Sequence, residues 1–462
     1  MRVTTILLAA ILAAGCGDPA GSPEAAPDPG WRDLFDGESL AGWKQLGGEA
    51  EYAVVDGAIV GSSRTGTPNS FLATEETFGD FALELEFQVD PELNSGVQVR
   101  SLSLPDYQEG RVHGYQVEID PSERAWTAGL YDEARRGWLY PLEANEPARE
   151  AFRQGEWNRL YVECVGPVLQ TWLNGVPAAR IVDDTTLEGF IALQVHSVNE
   201  ERMAGKQVRW RNVRIRTGDF EPRESGVPFV ANHVANALDA RERELGWRLL
   251  WDGATTLGWR GAHAESFPEA GWSIADGVLS VEESGGGEAA HGGDIVTEDE
   301  FAAFELQLDF RLSEGANSGI KYFVTEGYDA GAGSAIGLEY QLLDDARHAD
   351  AEMGRDGNRK LASLYDLIPA AKEARFVKPP GEWNHARLVV RPDGSVEHWL
   401  NHRKVLEYVK GSEDFLERVA RSKYEDWEGF GLWERGHLLL QDHGNQVSFR
   451  SIKLRDLSQG GS

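Results

Sequence analysis

The chain has 462 residues, 41% of them hydrophobic and 10% aromatic, enough for more than one packed core, which excludes a disordered polymer. Asp and Glu number 76 against 45 Lys and Arg, a formal net charge of -31, so nucleic acid is not expected as a partner because its phosphates would be repelled. The same acidity disfavours adsorption to an anionic membrane surface and leaves a neutral ligand such as a sugar unhindered.

In chain order, the first element is an export signal at residues 1–16. Arg2 supplies the positive start, and the apolar run to Ala14 is too short to span a bilayer. Ala13-Ala14-Gly15-Cys16 resembles the bacterial lipobox, in which the cysteine thiol is acylated and becomes the mature N-terminus. Cys16 is therefore the expected lipidation site, and the chain an exported lipoprotein of the cell envelope that meets the membrane through its lipid anchor only. An ordinary cleaved signal with an incidental cysteine is the alternative. Residues 17–30, rich in Pro, Ala, Gly and acidic side chains, read as a flexible tether. Cys164, the other cysteine, lies in an apolar run, is left without a partner, and is expected as a core thiol on a strand.

Beyond the tether the chain repeats itself. Leu34-Phe35-Asp36-Gly37 followed by Gly42-Trp43 returns as Leu250-Trp251-Asp252-Gly253 followed by Gly258-Trp259, and Asn94-Ser95-Gly96 returns as Asn317-Ser318-Gly319. Gly155-Glu156-Trp157-Asn158 matches Gly381-Glu382-Trp383-Asn384, and Trp172-Leu173-Asn174 matches Trp399-Leu400-Asn401. This divides the chain into a first domain at 31–217, a linker at 218–246 and a second domain at 247–458. The linker has no strand pattern, and Phe229 to Leu245 is expected to form a short helix. The second copy carries extra residues around His348 to Lys360 and around Lys410 to Trp427, insertions that belong in loops, where sites are elaborated.

Within each copy the apolar period is two. Phe81, Leu83, Leu85, Phe87 and Val89 alternate with Ala82, Glu84, Glu86 and Gln88, and Phe304 to Leu312 repeats the pattern, as a strand does with one face in a core. Short strands separated by Asp-Gly, Asn-Gly and Asn-Ser-Gly turns predict an all-β fold, a sandwich or barrel of antiparallel sheets in each copy.

The second copy also contains Glu339-Tyr340-Gln341-Leu342-Leu343-Asp344-Asp345, Leu364-Tyr365-Asp366, His398-Trp399-Leu400-Asn401 and Leu440-Gln441-Asp442-His443-Gly444. With the Asn-Ser-Gly and Gly-Glu-Trp-Asn motifs, these resemble the 3-keto-disaccharide hydrolase family, formerly a domain of unknown function. The resemblance covers nearly all of both copies and implies two tandem concanavalin A-like jelly rolls. It also implies cleavage of glycosides whose sugar is oxidised to a ketone at C3.

Such a ketone acidifies the C2 hydrogen. A general base can remove that proton, an electrophile can stabilise the enolate, and the anomeric oxygen then leaves by β-elimination before water adds back. Direct displacement by two carboxylates is the alternative. Glu339 and Gln341 are two apart on a predicted strand and share one face, opposite Tyr340 and Leu342. In the first copy Gln116 and Glu118 stand in their places with acid and amide exchanged.

Glu339, Asp344 and the pair Asp442 and His443 are the candidate catalytic groups, the last two as an acid/base pair or as braces of a turn. Candidate substrate-binding residues are Asn317, Lys321, Gln341, His348, Tyr365 and Asp366 in the second copy, and Asn94, Arg100, Gln116, Glu118 and Tyr131 in the first. Asp344, Asp345, His348 and Asp350 fit no specific metal spacing, so no metal or other cofactor is assigned, with a divalent ion as the alternative. The repeated tryptophans are expected mainly in cores. Three readings stay open: a 3-keto-glycoside hydrolase or lyase with the second copy as its main active domain, a non-catalytic glycan-binding protein, and a mixed arrangement in which one copy cleaves and the other binds or braces.

Overall fold

A computed structural model describes residues 30–458 apart from 219, 286, 290 and 328–332. The export signal, Cys16 and the tether up to residue 29 lie outside the described residues. Among the described residues, a nine-stranded and a seven-stranded sheet are built from the first repeat with part of the linker, and an eight-stranded and a five-stranded sheet from the second. Each repeat is thus the expected all-β sandwich.

The alternating segments form the spine of one sheet in each repeat. Phe81–Val89 buries Leu83, Leu85 and Phe87 completely while Glu84, Glu86 and Gln88 are only partly covered. Phe304–Leu312 behaves likewise at Leu308 and Phe310. The opposite sheet contributes the alternate residues of its own strands. Tyr115, Val117 and Ile119 of His113–Ile119, and Tyr340 and Leu342 of Ile336–Leu343, lie in the two cores. Because side chains alternate along a strand, these buried positions force Gln116, Glu118, Glu339 and Gln341 onto the outer faces. Cys164 is fully buried on Asn158–Val165, and burial pushes its thiol up to about 12.

Two stretches depart from the sequence reading. Among its described residues the linker is helical only at Ala240–Glu244, which Asp239 and Glu242 close with a capping box. Ahead of it, Ala231–Asn232 pairs in parallel with Ile181 and Val182 of the first repeat. Asn232 bonds the Val234 amide and the Ala237 carbonyl, and Asn236 bonds the Gly277 carbonyl and the Ser451 amide. These bonds from asparagine to backbone compete with helical turns and hold the segment open. Phe229 stacks on Tyr140 at 4.2 Å and lies 5.9 Å from the ring of His402 of the second repeat.

The second departure is Arg100. The pairing of Ser95–Leu102 with His113–Ile119 is bulged between Val99 and Leu102, and Arg100 has φ 46. The bulge turns its side chain away from the outer face. The buried guanidinium donates to the carbonyls of Gly79 (2.8 Å) and Gly166 (2.6 Å) and pairs with Asp80 (2.8 Å). Arg100 is therefore a structural tie and not a substrate-binding residue.

Candidate active site

The site in the second repeat begins with the pairing of Asn317–Thr325 against Ile336–Leu343, which sets Gly319 beside Gln341 and Lys321 beside Glu339. A Cβ on Gly319 would lie 2.2 Å from Glu339 Oε1, so the glycine of the Asn-Ser-Gly motif gives the carboxylate its bed. The Gln341 amide stands 3.2 Å from Asn317 Oδ1, and turned over it donates to Glu339 Oε1 at 3.1 Å. Lys321 reaches Glu288 Oε1 at 3.3 Å, Asp294 Oδ2 at 3.5 Å and the Ala335 carbonyl at 3.2 Å. Ser334 Oγ donates towards both acids, at 3.1 and 3.2 Å, and Gln441 Nε2 donates to Glu288 at 3.1 Å.

The remaining wall comes from the insertion after the helix Glu413–Val419, whose first turn Ser412 caps. It delivers Lys423, Tyr424 and Trp427 to a cavity of about 360 Å³ that Glu339, Lys321, Tyr365 and His443 also line. The Lys423 ammonium lies 4.3 Å from the centre of the Tyr365 ring.

This packing sets the charge states. Burial pushes the Glu339 carboxyl up to about 7, with Lys321 and Lys423 opposing the rise and Glu288 and Asp294 adding to it. Burial works against the Lys321 ammonium, but Asp294, Glu339 and Glu288 hold its pKa above the ordinary value. Burial raises Asp294. In Glu288 the effect of burial is outweighed, chiefly by Lys321, and its pKa is lowered. The cavity therefore presents a carboxyl that titrates near neutrality beside a fixed positive charge, the equipment for taking a proton next to a carbonyl.

Of the residues singled out in the sequence, Glu339, Asn317, Lys321, Gln341, Tyr365 and His443 line this cavity. Four others stand behind it. Asp442 is fully buried, and its carboxylate accepts the amides of Gly292 (3.1 Å), Gly293 (3.0 Å) and Gly444 (2.9 Å), so it braces a turn instead of orienting His443. Asp344 accepts the amides of Gly315 (2.8 Å) and Ala346 (3.2 Å) and pairs with Arg347 at 3.1 Å, which makes it a turn brace too. Asp366 binds Arg359 at 2.6 Å and the Lys423 amide at 2.7 Å, positioning the insertion. His348 accepts the Asp350 amide at 3.2 Å with its ring 6.1 Å from that of His443, and burial and His443 together lower its pKa.

The sequence reading missed Glu288, Asp294, Ser334, Lys423, Tyr424, Trp427 and Gln441 as cavity or network residues. Gln441 sits inside a motif already noted, and Lys423 to Trp427 close the second insertion. Glu288 and Asp294 flank a glycine-rich stretch and carry no periodic signal.

The first repeat has the same sheet but different chemistry. Gln98 and Gln116 occupy the places of Lys321 and Glu339 and bond each other at 2.5 Å. Leu72 pairs with Leu193 as Ile295 pairs with Leu440, so the residue that precedes, Asp294 in the second repeat, is Phe71 in the first. Glu118 accepts from Asn94 at 2.7 Å and Gln116 at 2.9 Å, with Arg124 at 3.5 Å, and burial pushes it up to about 7. Asn94, Gln116, Glu118 and Tyr131 line an open cavity of about 980 Å³. The motif tryptophans lie elsewhere. Arg211 covers Trp157, Arg311 and Arg450 cover Trp383, and Trp172 and Trp399 are buried.

Comparison with known proteins finds the 3-keto-alpha-glucoside-1,2-lyase-like domain at residues 30–216 and again at 246–455. The chain is 38% identical over 257 residues to a 3-keto-disaccharide hydrolase of Bacteroides thetaiotaomicron, covering 51% of this chain and 87% of the relative. Among solved structures it is similar to a candidate glycosyl hydrolase of Parabacteroides distasonis ATCC 8503, with 32% identity, TM-score 0.42 and coverage of 48% of this chain and 99% of that one. It is also similar to the carbohydrate binding module CBM66 of Bacillus subtilis, at 14% identity and TM-score 0.28 over 38% of this chain and 96% of that one.

Proposed function

The chain belongs to the 3-keto-alpha-glucoside-1,2-lyase-like domain family, and from that premise we propose that it is a glycoside-cleaving enzyme acting on 3-keto-glycosides, with its active centre in the second repeat. The observation that carries the reading is Glu339, a buried carboxyl with a pKa of about 7 paired across the strands with a lysine on the wall of an open cavity. As the carboxylate, Glu339 takes the C2 proton. The electron pair moves toward the C3 oxygen, and the ammonium groups of Lys321 and Lys423 stabilise the enolate. Collapse of the enolate breaks the bond from C1 to the glycosidic oxygen, which takes a proton from His443 and leaves. Water then adds at C1 of the enone and a proton returns to C2, so the net reaction is hydrolysis, and release before water addition would make it a lyase.

Cleavage of a 3-keto-disaccharide in D₂O tests this. Deuterium should appear at C2 of the ketosugar product beyond the enzyme-free exchange, and the unoxidised parent should stay intact. Cleavage with protium retained at C2 would remove elimination and favour direct displacement. Export and anchoring through Cys16 belong to the same proposal, and a bacterial host fed labelled palmitate should label the wild-type protein and not Cys16→Ser.

A further inference from the structure

We propose that the cleft of the first repeat is a second saccharide site, one that holds a neutral oligosaccharide without cleaving it and extends it onto the second repeat. This does not depend on turnover at Glu339.

The first observation is size and continuity. At about 980 Å³ the cavity stands near the top of the range of roughly 300–1,000 Å³ usual for small-molecule sites. A further cavity of about 220 Å³ shares Arg124, Tyr131 and Trp138 with it and is closed by Phe376 and Asn401 of the second repeat. The two repeats meet there through Arg403, which pairs with Glu143 at 3.3 Å and lies over both Trp126 and Phe376. A chain of sugars entering the first cleft thus has a path past half-buried Trp138 to Phe376, whose rings line the smaller cavity with Arg124 over the first and Arg375 and Arg403 over the second.

The second observation is polarity. Three of the cations on these walls face a carboxylate, Arg124 with Asp120 at 2.7 Å, Arg111 with Glu133 at 3.5 Å and Arg375 with Glu373 at 2.8 Å, while Lys378 donates to the Arg136 carbonyl. Among the described residues this leaves one lysine and no cluster of spare positive charge for a phosphate or uronate. Side-chain amides supply donors and acceptors together, as neutral hydroxyls require. Gln194, on the same sheet face between Phe71 and Gly96, is fully buried with neither end of its amide partnered among the described residues.

The third observation is the chemistry that has been exchanged. Lys321 and Glu339 are replaced by the bonded amides Gln98 and Gln116, and the place of Asp294 is taken by Phe71. Glu118 is tied by Asn94 and Gln116, with no lysine beside it on the neighbouring strand. Of this set Asn94, Gln116 and Glu118 face the cleft with hydrogen-bonding groups, and the set lacks the buried ammonium that would stabilise an enolate.

The test is calorimetric titration of the full chain carrying Glu339→Gln with maltotetraose, cellotetraose and tetragalacturonate. A neutral tetrasaccharide should bind, and Trp138→Ala and Gln116→Ala should each weaken it by about tenfold or more while the circular dichroism is unchanged. If Trp138→Ala does not fold, Gln116→Ala carries the test. Failure of both neutral probes to bind, binding untouched by the variants, or tighter binding of the acidic tetramer would overturn the proposal. Residual cleavage by Glu339→Gln that vanishes when Glu118→Gln is added would overturn it as well, by making the first cleft catalytic.

Discussion

The two repeats place the same strands around the same glycine and reach different electrostatics. In the second, Gly319 lets Glu339 lie beside Lys321, and Glu288 and Asp294 surround the ammonium. In the first, Gly96 makes the same room, a Cβ there falling 2.5 Å from Gln116 Cδ, but the side chain it admits is an amide bonded to another amide. A backbone motif can thus be kept for the space it leaves while the chemistry in that space is rewritten by single substitutions.

The sharpest way to break this contrast is to remove the acid from each cleft in turn. Glu339→Gln should lower kcat on a 3-keto-disaccharide by about 10³-fold, within the range expected for a lost general base, whereas Glu118→Gln should change it by no more than about twofold. Equal losses would mean that both repeats turn over.

Next in size, Lys321→Gln gives the second cleft the residue of the first and should cost about 10²-fold in kcat. It also alters the pH profile in a defined direction. With Glu339 titrating at about 7 as the base, kcat/KM should rise through neutrality. Loss of Lys321, which holds that carboxyl down, should move the rise to higher pH, and a limb that stays in place would show that another group titrates. The same shift has a stability consequence. The folded Glu339 keeps a proton that an ordinary glutamic acid, titrating at about 4.5, has lost, so its contribution to stability is full at low pH and falls as pH rises from that value through about 7.

The smallest of these effects separates space from chemistry. Gly319→Ala should displace the Glu339 carboxyl and lower kcat by about tenfold with KM little changed, while Gly96→Ala should leave turnover of a 3-keto-disaccharide alone. Comparable losses from both glycines, measured on folded protein, would point to a general packing defect.

What the sequence determined by itself is whatever local periodicity and repetition encode. Alternation at Phe81 to Val89 and Phe304 to Leu312 specified strands with one buried face, and the parity of Glu339, Tyr340, Gln341 and Leu342 separated outer from core side chains, because a strand has a period of two. The repeated motifs exposed the duplication, and the late insertion marked where a wall would be added. Tertiary structure alone decided the rest. Asp442 and Asp344 look catalytic beside their neighbours in the chain, yet backbone amides from turns remote in sequence or just alongside consume their oxygens. Arg100 is turned inward by a bulge that its own type does not announce, and Glu288 and Asp294 gain meaning only through Lys321, which reaches them across the sheet. Charge state depends on burial and on charges brought close by folding, and spacing along the chain records neither.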